Sequence, residues 1–131
     1  MDERLARSID VGLSLVTVDL AIFTIRNETL MVLLIERGVE PFRGCSALPG
    51  GRVRKQETLD QGARRELLEE TGIDGARLHL EQFGAFGDPE RDPRGRVVTI
   101  AYLALGADLP EAVGGTDAAH AHWVPVEEIL K

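Results

Sequence analysis

Apolar residues follow a strand-like pattern over the first third of the chain. Residues 11–25 are dominated by Val, Leu, Ile and Thr, with Asp19 as the main polar interruption, which predicts one long strand or two strands separated by a bulge. Asn27 and Glu28 follow as a turn signal, and residues 30–35 are again apolar. The pattern therefore predicts a β-hairpin whose two strands are each buried on at least one face.

The last third of the chain alternates between short apolar runs and polar loops. The apolar runs predict three strands and the start of a final helix, at residues 78–83, 97–105, 123–126 and 127–130. A loop over residues 84–95 contains two Asp-Pro steps, and a second loop covers residues 108–117. Because proline fixes φ and restricts the residue before it, turns are expected in the first loop.

One helix is predicted between Thr58 and Gly72. Thr58 is a suitable N-cap, and Gln61 lies three residues later, where a capping-box partner reaches back. Gly72 is placed to end the helix in the left-handed conformation. Apolar residues recur at every fourth position and form a stripe that can face a core, namely Leu59, Ala63 and Leu67.

A second face of this helix carries three acids and a glycine, namely Gly62, Glu66, Glu69 and Glu70. Like charges at this spacing repel by roughly a few tenths of a kcal/mol per pair, and a mid-helix glycine costs about 1 kcal/mol relative to alanine. One interpretation is a solvated face, with Arg64 and Arg65 as partial compensation. The other is a divalent cation over the carboxylates, with room left by the missing side chain, and such oxygen ligands suit Mg²⁺ or Mn²⁺.

The residues around the acids favour the cation. The segment reads Gly51-x5-Glu57-x7-Arg65-Glu66-Leu67-x-Glu69-Glu70-x-Gly72-Ile73. It resembles the Nudix box at every defined position, and the chain therefore resembles the Nudix hydrolases, which cleave nucleoside diphosphates linked to another group. The resemblance implies an α/β fold, the Nudix α/β/α sandwich with a mixed β-sheet, and a single domain over residues 1–131.

The same resemblance implies catalytic roles for Glu57, Arg65 and Glu66. Glu57 would support the metal-binding carboxylates, and Arg65 would orient Glu57 or the metal shell through a salt bridge. The general base would be Glu66 or an acidic residue of the later loop, and both options stay open. The implied cofactor is Mg²⁺, with Mn²⁺ as an alternative. The implied metal ligands are the carbonyl oxygen of Gly50 and the carboxylates of Glu66, Glu69 and Glu70.

Outside the box the chain resembles a narrower branch, the ADP-ribose pyrophosphatases and the related regulators of NAD metabolism. The likeness is carried by residues 37–42, 47–51 and 86–96. Two residues depart from it, because Ser46 stands where the branch usually has Trp and Gln56 where a Gly commonly precedes the first box Glu. The branch implies hydrolysis of ADP-ribose to AMP and ribose 5-phosphate. The implied substrate contacts are Arg37, Arg91, Arg94 and Arg96.

The loop over residues 84–95 has two interpretations. Its composition alone favours a solvated loop stiffened by proline. The family resemblance makes it a substrate-facing flap, whose arginines would meet the diphosphate or the terminal ribose. Asp88, Glu90 or Asp92 would then supply a further carboxylate to the site.

Two other functions remain compatible with the sequence. The substrate would be another nucleotide, such as an oxidised nucleoside triphosphate, since the box reports diphosphate chemistry and not the attached group. Alternatively, the chain would be a non-catalytic ADP-ribose-sensing domain of a transcriptional regulator. The intact box favours catalysis, and a chain that ends at Lys131 is expected to leave no room for a DNA-binding module.

Composition and charge narrow the expected partners. The formal net charge of −7 argues against a nucleic-acid partner, and it favours a metal and local arginines as the means of holding an anionic substrate. Cys45 is the single cysteine, so an internal disulfide is excluded and a reducing cytoplasm is expected. No membrane partner is expected, because the chain shows neither a signal-peptide pattern nor an apolar run of about 20 residues. A homodimer is compatible with the family resemblance.

Overall fold

The structure, a computed structural model, describes residues 14–112 and 118–130. Seven strands in those ranges form one sheet, namely β1 (Leu15–Arg26), β2 (Thr29–Arg37), β3 (Ser46–Ala47), β4 (Gly50–Arg52), β5 (Glu81–Phe86), β6 (Val97–Ala107) and β7 (Ala118–Pro125). The described helical elements are α1 (Leu59–Thr71), a 3-10 turn (Gly75–Arg77) and α2 (Val126–Ile129). None of these helices is long and apolar enough to cross a membrane.

The first two strands form the predicted hairpin. Asn27 and Glu28 both have positive φ, at 48° and 64°, which is the backbone of a two-residue turn that matches the twist of the flanking strands. The first strand is one strand and not two, because β1 pairs in parallel with β6 from Leu15 to Ile25. Asp19 therefore lies inside a continuous strand.

The sheet is mixed, which confirms the predicted α/β class. Its strand order is β3-β2-β1-β6-β5, with β7 paired to β2 and β4 paired to β1. The pair of β1 and β6 is parallel, whereas the other recorded pairs are antiparallel. The short strand β4 pairs with residues Thr17–Asp19, so the chain that leads into α1 starts beside the middle of the sheet.

The helix α1 begins and ends as its sequence predicts. The Thr58 hydroxyl accepts a hydrogen bond from the Gln61 amide at 3.1 Å, and the Gln61 side chain accepts one from the Thr58 amide at 2.9 Å. Gly72 has a φ of 73°, and its amide donates to the Leu68 carbonyl. These caps satisfy backbone groups that a helix otherwise leaves without partners at its two ends.

The apolar stripe of α1 packs on the sheet. Ala63 and Leu67 are fully buried, and Leu59 packs against the same cluster. The sheet contributes large side chains that are closed to solvent, including Leu20, Ile22, Leu33 and Tyr102. Each such side chain contributes about 1.5–3 kcal/mol through burial. This core holds α1 against the centre of the sheet and thereby fixes where its acidic face points.

Two predicted strands have different boundaries in the structure. The run at residues 78–83 is shifted, because Asp74 caps a 3-10 turn by accepting from the Ala76 amide at 3.0 Å, and β5 begins only at Glu81. The last strand begins at Ala118 instead of Trp123, because β2 offers it pairing partners from Met31 to Arg37. Residues 113–117 of the predicted second loop lie outside the described residues.

Candidate functional site

The acidic face of α1 lines a cleft of about 570 Å³ between the helix, β4 and the end of β2. Charged residues of both signs line it, namely Arg37, Glu40, Arg52, Arg54, Arg65, Glu66, Glu69, Glu70 and Arg94. The acids of one helix face thus share a cavity with arginines from four separate parts of the chain. Such a mixture suits a ligand that carries both anionic groups and bound cations.

The carboxylates on this face are mostly turned into the protein. Glu66 and Glu70 are 8 % and 3 % exposed, whereas the Glu69 side chain is 38 % exposed. Glu70 accepts a hydrogen bond from the Gly50 amide at 2.7 Å, which joins the helix to β4. A buried carboxylate is costly unless it is hydrogen-bonded or paired, so a purely solvated helix face does not describe this arrangement.

Two glycines of β4 allow the acids to come this close to the backbone. A Cβ atom at Gly51 would lie 2.6 Å from the Glu66 carboxylate, and one at Gly50 would lie 2.1 Å from the Val18 carbonyl oxygen. Both distances are shorter than any contact a side chain can make without displacing its neighbours. Close contact also explains the glycine in the middle of α1, because a Cβ at Gly62 would lie 3.2 Å from a Glu57 oxygen.

Arg65 is the main compensating charge of the cleft. Its guanidinium donates to Glu57 at 2.5 and 2.9 Å, to Glu66 at 2.7 Å, to Glu69 at 3.1 Å and to the Arg52 carbonyl at 2.9 Å. The hydrogen bonds from Arg65 lower the pKa of Glu57 to about 2, helped by the Arg54 amide, and the same pairing raises the pKa of Arg65. Glu57 is therefore charged at neutral pH and anchors Arg65.

The donor set fits a hard divalent cation. The candidate ligands are oxygen atoms, from the carboxylates of Glu66, Glu69 and Glu70 and the carbonyl of Gly50, which is the chemistry that Mg²⁺ and Mn²⁺ prefer. Within the described residues, no three His, Cys, Asp or Glu side chains are already arranged around one ion position. Arg65 donates to oxygens of Glu66 and Glu69, so a cation would compete with it for those atoms.

The loop between β5 and β6, residues 87–96, folds back towards this cleft. Arg94 lines the cleft itself, and Arg91 and Arg94 line a side cavity of about 120 Å³ together with Arg37. The side cavity shares Gly50 with the main cleft, so the two are neighbours. Arg96 is exposed and is not one of the described residues that line either space. The structure therefore brings three of the four expected arginines together.

The acids of this loop differ in their surroundings. Asp92 accepts two hydrogen bonds from the Arg94 guanidinium, at 2.9 and 2.7 Å, and these bonds lower the pKa of Asp92 to about 2. The same contact raises the pKa of Arg94. Asp88 and Glu90 line another surface pocket, which includes Arg91. Asp92 therefore acts as the partner that orients Arg94.

In the sequence, Asp19 stands out only as the polar interruption of an apolar strand. In the structure its carboxylate accepts a hydrogen bond from Thr99 at 2.6 Å and lies 3.7 Å from the Arg91 guanidinium. It also lines the side cavity beside Gly50. A lone acid within an apolar strand was the available signal, but its partner Thr99 is 80 residues away in the chain.

The sequence of this chain is similar to a known domain family and to curated proteins. A family model described as NUDIX domain matches residues 15–131. The ADPR responsive transcriptional repressor NtrR of Acinetobacter baylyi is 41% identical over 119 residues, which cover 89% of this chain and 47% of the repressor. The ADP-ribose pyrophosphatase of Methanocaldococcus jannaschii is 38% identical over 102 residues, which cover 76% of this chain and 57% of that enzyme. The chain thus spans about half the length of these curated relatives.

Solved structures with a similar fold also include NUDIX and ADP ribose pyrophosphatase proteins. The NUDIX domain of Shewanella oneidensis NrtR, complexed with ADP ribose, superposes with a TM-score of 0.83 at 31% identity, covering 99% of this chain and 87% of that one. A bifunctional NMN adenylyltransferase/ADP ribose pyrophosphatase from Francisella tularensis, complexed with AMP and a manganese ion, superposes with a TM-score of 0.75 at 29% identity, covering 95% of this chain and 37% of that one. The relatives and neighbours thus include both a transcriptional repressor and enzymes.

Proposed function

The chain belongs to the Nudix family, and we propose that it is a divalent-metal-dependent hydrolase that cleaves the diphosphate bond of ADP-ribose to give AMP and ribose 5-phosphate. One observation carries the proposal, which is that Glu66, Glu69 and Glu70 line the same cleft as Arg37 and Arg94. The similarity to an ADP-ribose pyrophosphatase and to a NUDIX domain complexed with ADP ribose supports the choice of substrate.

The cofactor is Mg²⁺ in this proposal, with Mn²⁺ as the alternative. The carboxylates of Glu66, Glu69 and Glu70 and the carbonyl of Gly50 would hold it, and the manganese ion of the Francisella neighbour supports a divalent cation. When bound, the cation would neutralise charge on the diphosphate and lower the pKa of the attacking water.

The arginines of the cleft would bind and orient the diphosphate. Asp92 already holds the Arg94 guanidinium in a fixed orientation through two hydrogen bonds, so little side-chain freedom is lost when a ligand binds. A planar guanidinium can make two parallel hydrogen bonds to phosphate oxygens, which an ammonium group does not reproduce. Arg37 and Arg91 would add positive charge on the same side of the cleft.

Glu66 is the proposed acceptor of the water proton. Glu57 and Asp92 are weaker candidates, because pairing with Arg65 and Arg94 respectively lowers their pKa to about 2. Such strongly acidic carboxyl groups are poor bases near neutral pH. The other two loop acids, Asp88 and Glu90, line a different pocket. Glu66 faces the backbone of Gly51 at the wall of the cleft, where a carboxylate meets the space that the diphosphate would fill.

Sensing of ADP-ribose is the second candidate. It is favoured by the 41% identity to a transcriptional repressor described as ADPR-responsive. The chain spans about half of that relative, so the position of Lys131 does not support the expectation that a DNA-binding module is excluded. A sensor and an enzyme would use the same cleft and differ in turnover.

A substrate panel tests the proposal. The protein is incubated with Mg²⁺ and, separately, with ADP-ribose, NADH, a diadenosine polyphosphate and nucleoside triphosphates, and the products are separated by chromatography. ADP-ribose is expected to give the highest kcat/KM. A tenfold preference for a triphosphate would overturn the substrate while leaving diphosphate chemistry in place. Binding of ADP-ribose without products would favour the sensor.

A further inference from the structure

Asp19 is an acid that the proposed chemistry does not use. It lies in the middle of β1, where its Oδ2 accepts a hydrogen bond from the buried Thr99 hydroxyl at 2.6 Å. Its Oδ1 faces Gly50, since a Cβ built there would lie only 2.9 Å from that oxygen. A carboxylate that is one-third exposed in an apolar strand costs free energy unless its partners offset the lost hydration.

The loop over residues 87–96 provides the charged partner. The Arg91 guanidinium lies 3.7 Å from Asp19 Oδ2, the same oxygen that Thr99 contacts. Two backbone hydrogen bonds of the loop stay within it, from the Arg91 amide to the Asp88 carbonyl and from the Gly95 amide to the Asp92 carbonyl. These internal bonds shape the loop. The contact between Arg91 and Asp19 ties its middle to the sheet, and the Leu15 amide, which donates to the Arg96 carbonyl at 3.1 Å, ties its end.

The two partners of Asp19 place different demands on it. The Thr99 hydroxyl needs only an acceptor, which a neutral amide oxygen also supplies. The Arg91 guanidinium needs the negative charge, because the attraction across 3.7 Å is electrostatic. A neutral residue of the same shape therefore separates a role in the strand from a role towards the loop.

We propose that Asp19 is a positioning residue, which holds the 87–96 loop against the cleft through Arg91 so that Arg91 and Arg94 face the diphosphate. The diphosphate ligand follows from the proposed function, whereas the contact between Asp19 and Arg91 follows from the geometry alone. The loop is then a flap whose middle is fastened to the sheet at this point, beside the backbone of Gly50, while its end is held by the hydrogen bond from the Leu15 amide to the Arg96 carbonyl. Releasing that point lowers the fraction of molecules in which the arginines are in place.

Kinetics of Asp19→Asn test the positioning role. Because an ion pair whose side chains are one-third exposed is worth up to about 1 kcal/mol, KM for ADP-ribose is expected to rise about threefold to fivefold with kcat within about twofold. Glu81→Gln is the matched control, since it removes one exposed acid from the start of β5, at the end of that strand away from the loop, and is expected to leave KM unchanged. An unchanged KM in Asp19→Asn, or an equal rise in both variants, would overturn the proposal.

A double-mutant cycle identifies the partner. Arg91→Ala is expected to raise KM at least as much as Asp19→Asn does, and combining the two changes is expected to add nothing further. Thr99→Val keeps the charge of Asp19 and is expected to have the smaller effect on KM. Full additivity of Asp19→Asn and Arg91→Ala would show that Asp19 acts without Arg91 and would overturn the proposal.

Limited trypsin digestion tests the contact without any substrate. Trypsin cleaves after Arg94 and Arg96, and cleavage follows the population of the open loop when opening is fast. Asp19→Asn is expected to be cut in the loop about threefold to fivefold faster than the unmodified protein and Glu81→Gln, at unchanged thermal stability. Equal rates would overturn the proposed contact. Absence of ADP-ribose turnover in the unmodified protein would instead contradict the proposed function, and the digestion would still report on the loop.

Discussion

At the scale of single residues, Glu70 links the helix to the backbone of β4. Glu70→Gln retains an oxygen that can accept from the Gly50 amide, so the fold is expected to survive. It removes a charge and a proposed metal ligand. Turnover is expected to fall by at least about a hundredfold, since even outer partners of a metal site are worth about 10–100-fold.

Steady-state kinetics with saturating substrate and Mg²⁺ measure this change, and circular dichroism checks the fold. Glu28→Gln is a suitable control, because Glu28 lies in the hairpin turn and not among the described residues that line the cleft. Wild-type turnover in the Glu70 variant would reject the assignment of this carboxylate to the metal.

Arg94 and Arg96 make a second residue-scale test, because they flank the same glycine but lie in different surroundings. Arg94 lines the cleft, whereas Arg96 is exposed outside it. Arg94→Ala is expected to weaken ADP-ribose binding by at least about tenfold, since hydrogen bonds to charged groups are worth about 1.5–3 kcal/mol. Arg96→Ala is expected to change it by less than about threefold, as for an exposed charge.

Calorimetric titration with ADP-ribose in the presence of Ca²⁺ compares the two variants with the unmodified protein. The calcium ion is used here so that binding is measured without turnover. Equal losses of affinity in both variants would mean that the loop acts through its overall charge. Unchanged affinity in both would return the loop to the interpretation of a solvated connection.

At the scale of elements, α1 depends on its N-terminal cap. Thr58→Ala removes the acceptor for the Gln61 amide and is expected to lower the free energy of unfolding by about 1 kcal/mol. Chemical denaturation measures this change. Thr29→Ala is the control, because the Thr29 hydroxyl makes only a long, exposed contact of 3.4 Å. Equal effects of the two changes would contradict the capping role.

The caps of α1 were predictable because they involve neighbours in the chain. Thr58, Gln61 and Gly72 act within three or four residues of one another, so local sequence is enough. The start of β7 was not predictable in the same way, since its length depends on pairing with β2, which lies far away in the chain. The start of β5 was missed because Asp74 favours a 3-10 turn before it.

In the candidate site, too, local sequence predicts some residues, whereas others depend on contacts between distant parts of the chain. The acids of α1 share a face because of helical spacing, and the sequence predicted that face. The position of Asp19 depends on Thr99 and Arg91, which approach it only when β6 pairs with β1 and the loop folds back. The exposure of Arg96 likewise depends on the path of that loop, which spacing alone does not determine.

At the scale of the whole molecule, two depressed carboxyl pKa values predict the response to acid. Pairing with Arg65 lowers the pKa of Glu57 from 4.5 to about 2, and pairing with Arg94 lowers the pKa of Asp92 from 3.8 to about 2. Unfolding releases these groups to their ordinary values. Their contribution to stability is therefore present in full above about pH 5 and is lost as the pH falls towards 2.

Denaturation of the unmodified protein and of Glu57→Gln between pH 2 and pH 7 tests this expectation. The variant is expected to be less stable at neutral pH and to lose less stability on acidification, because its residue 57 no longer takes up a proton. Parallel curves for the two proteins would show that Glu57 titrates alike in the folded and unfolded chains, contrary to its pairing with Arg65.

The most direct test of ADP-ribose hydrolysis at this cleft follows the oxygen atom of the attacking water into the products. ADP-ribose is incubated with the protein and Mg²⁺ in water enriched in oxygen-18, and the masses of the products are measured by mass spectrometry. The expected result is AMP and ribose 5-phosphate in equal amounts, one of them carrying a single heavy oxygen in its phosphate, with turnover abolished in Glu66→Gln. Binding of ADP-ribose with no products, or products formed equally well by the Glu66 variant, would contradict hydrolysis by this site.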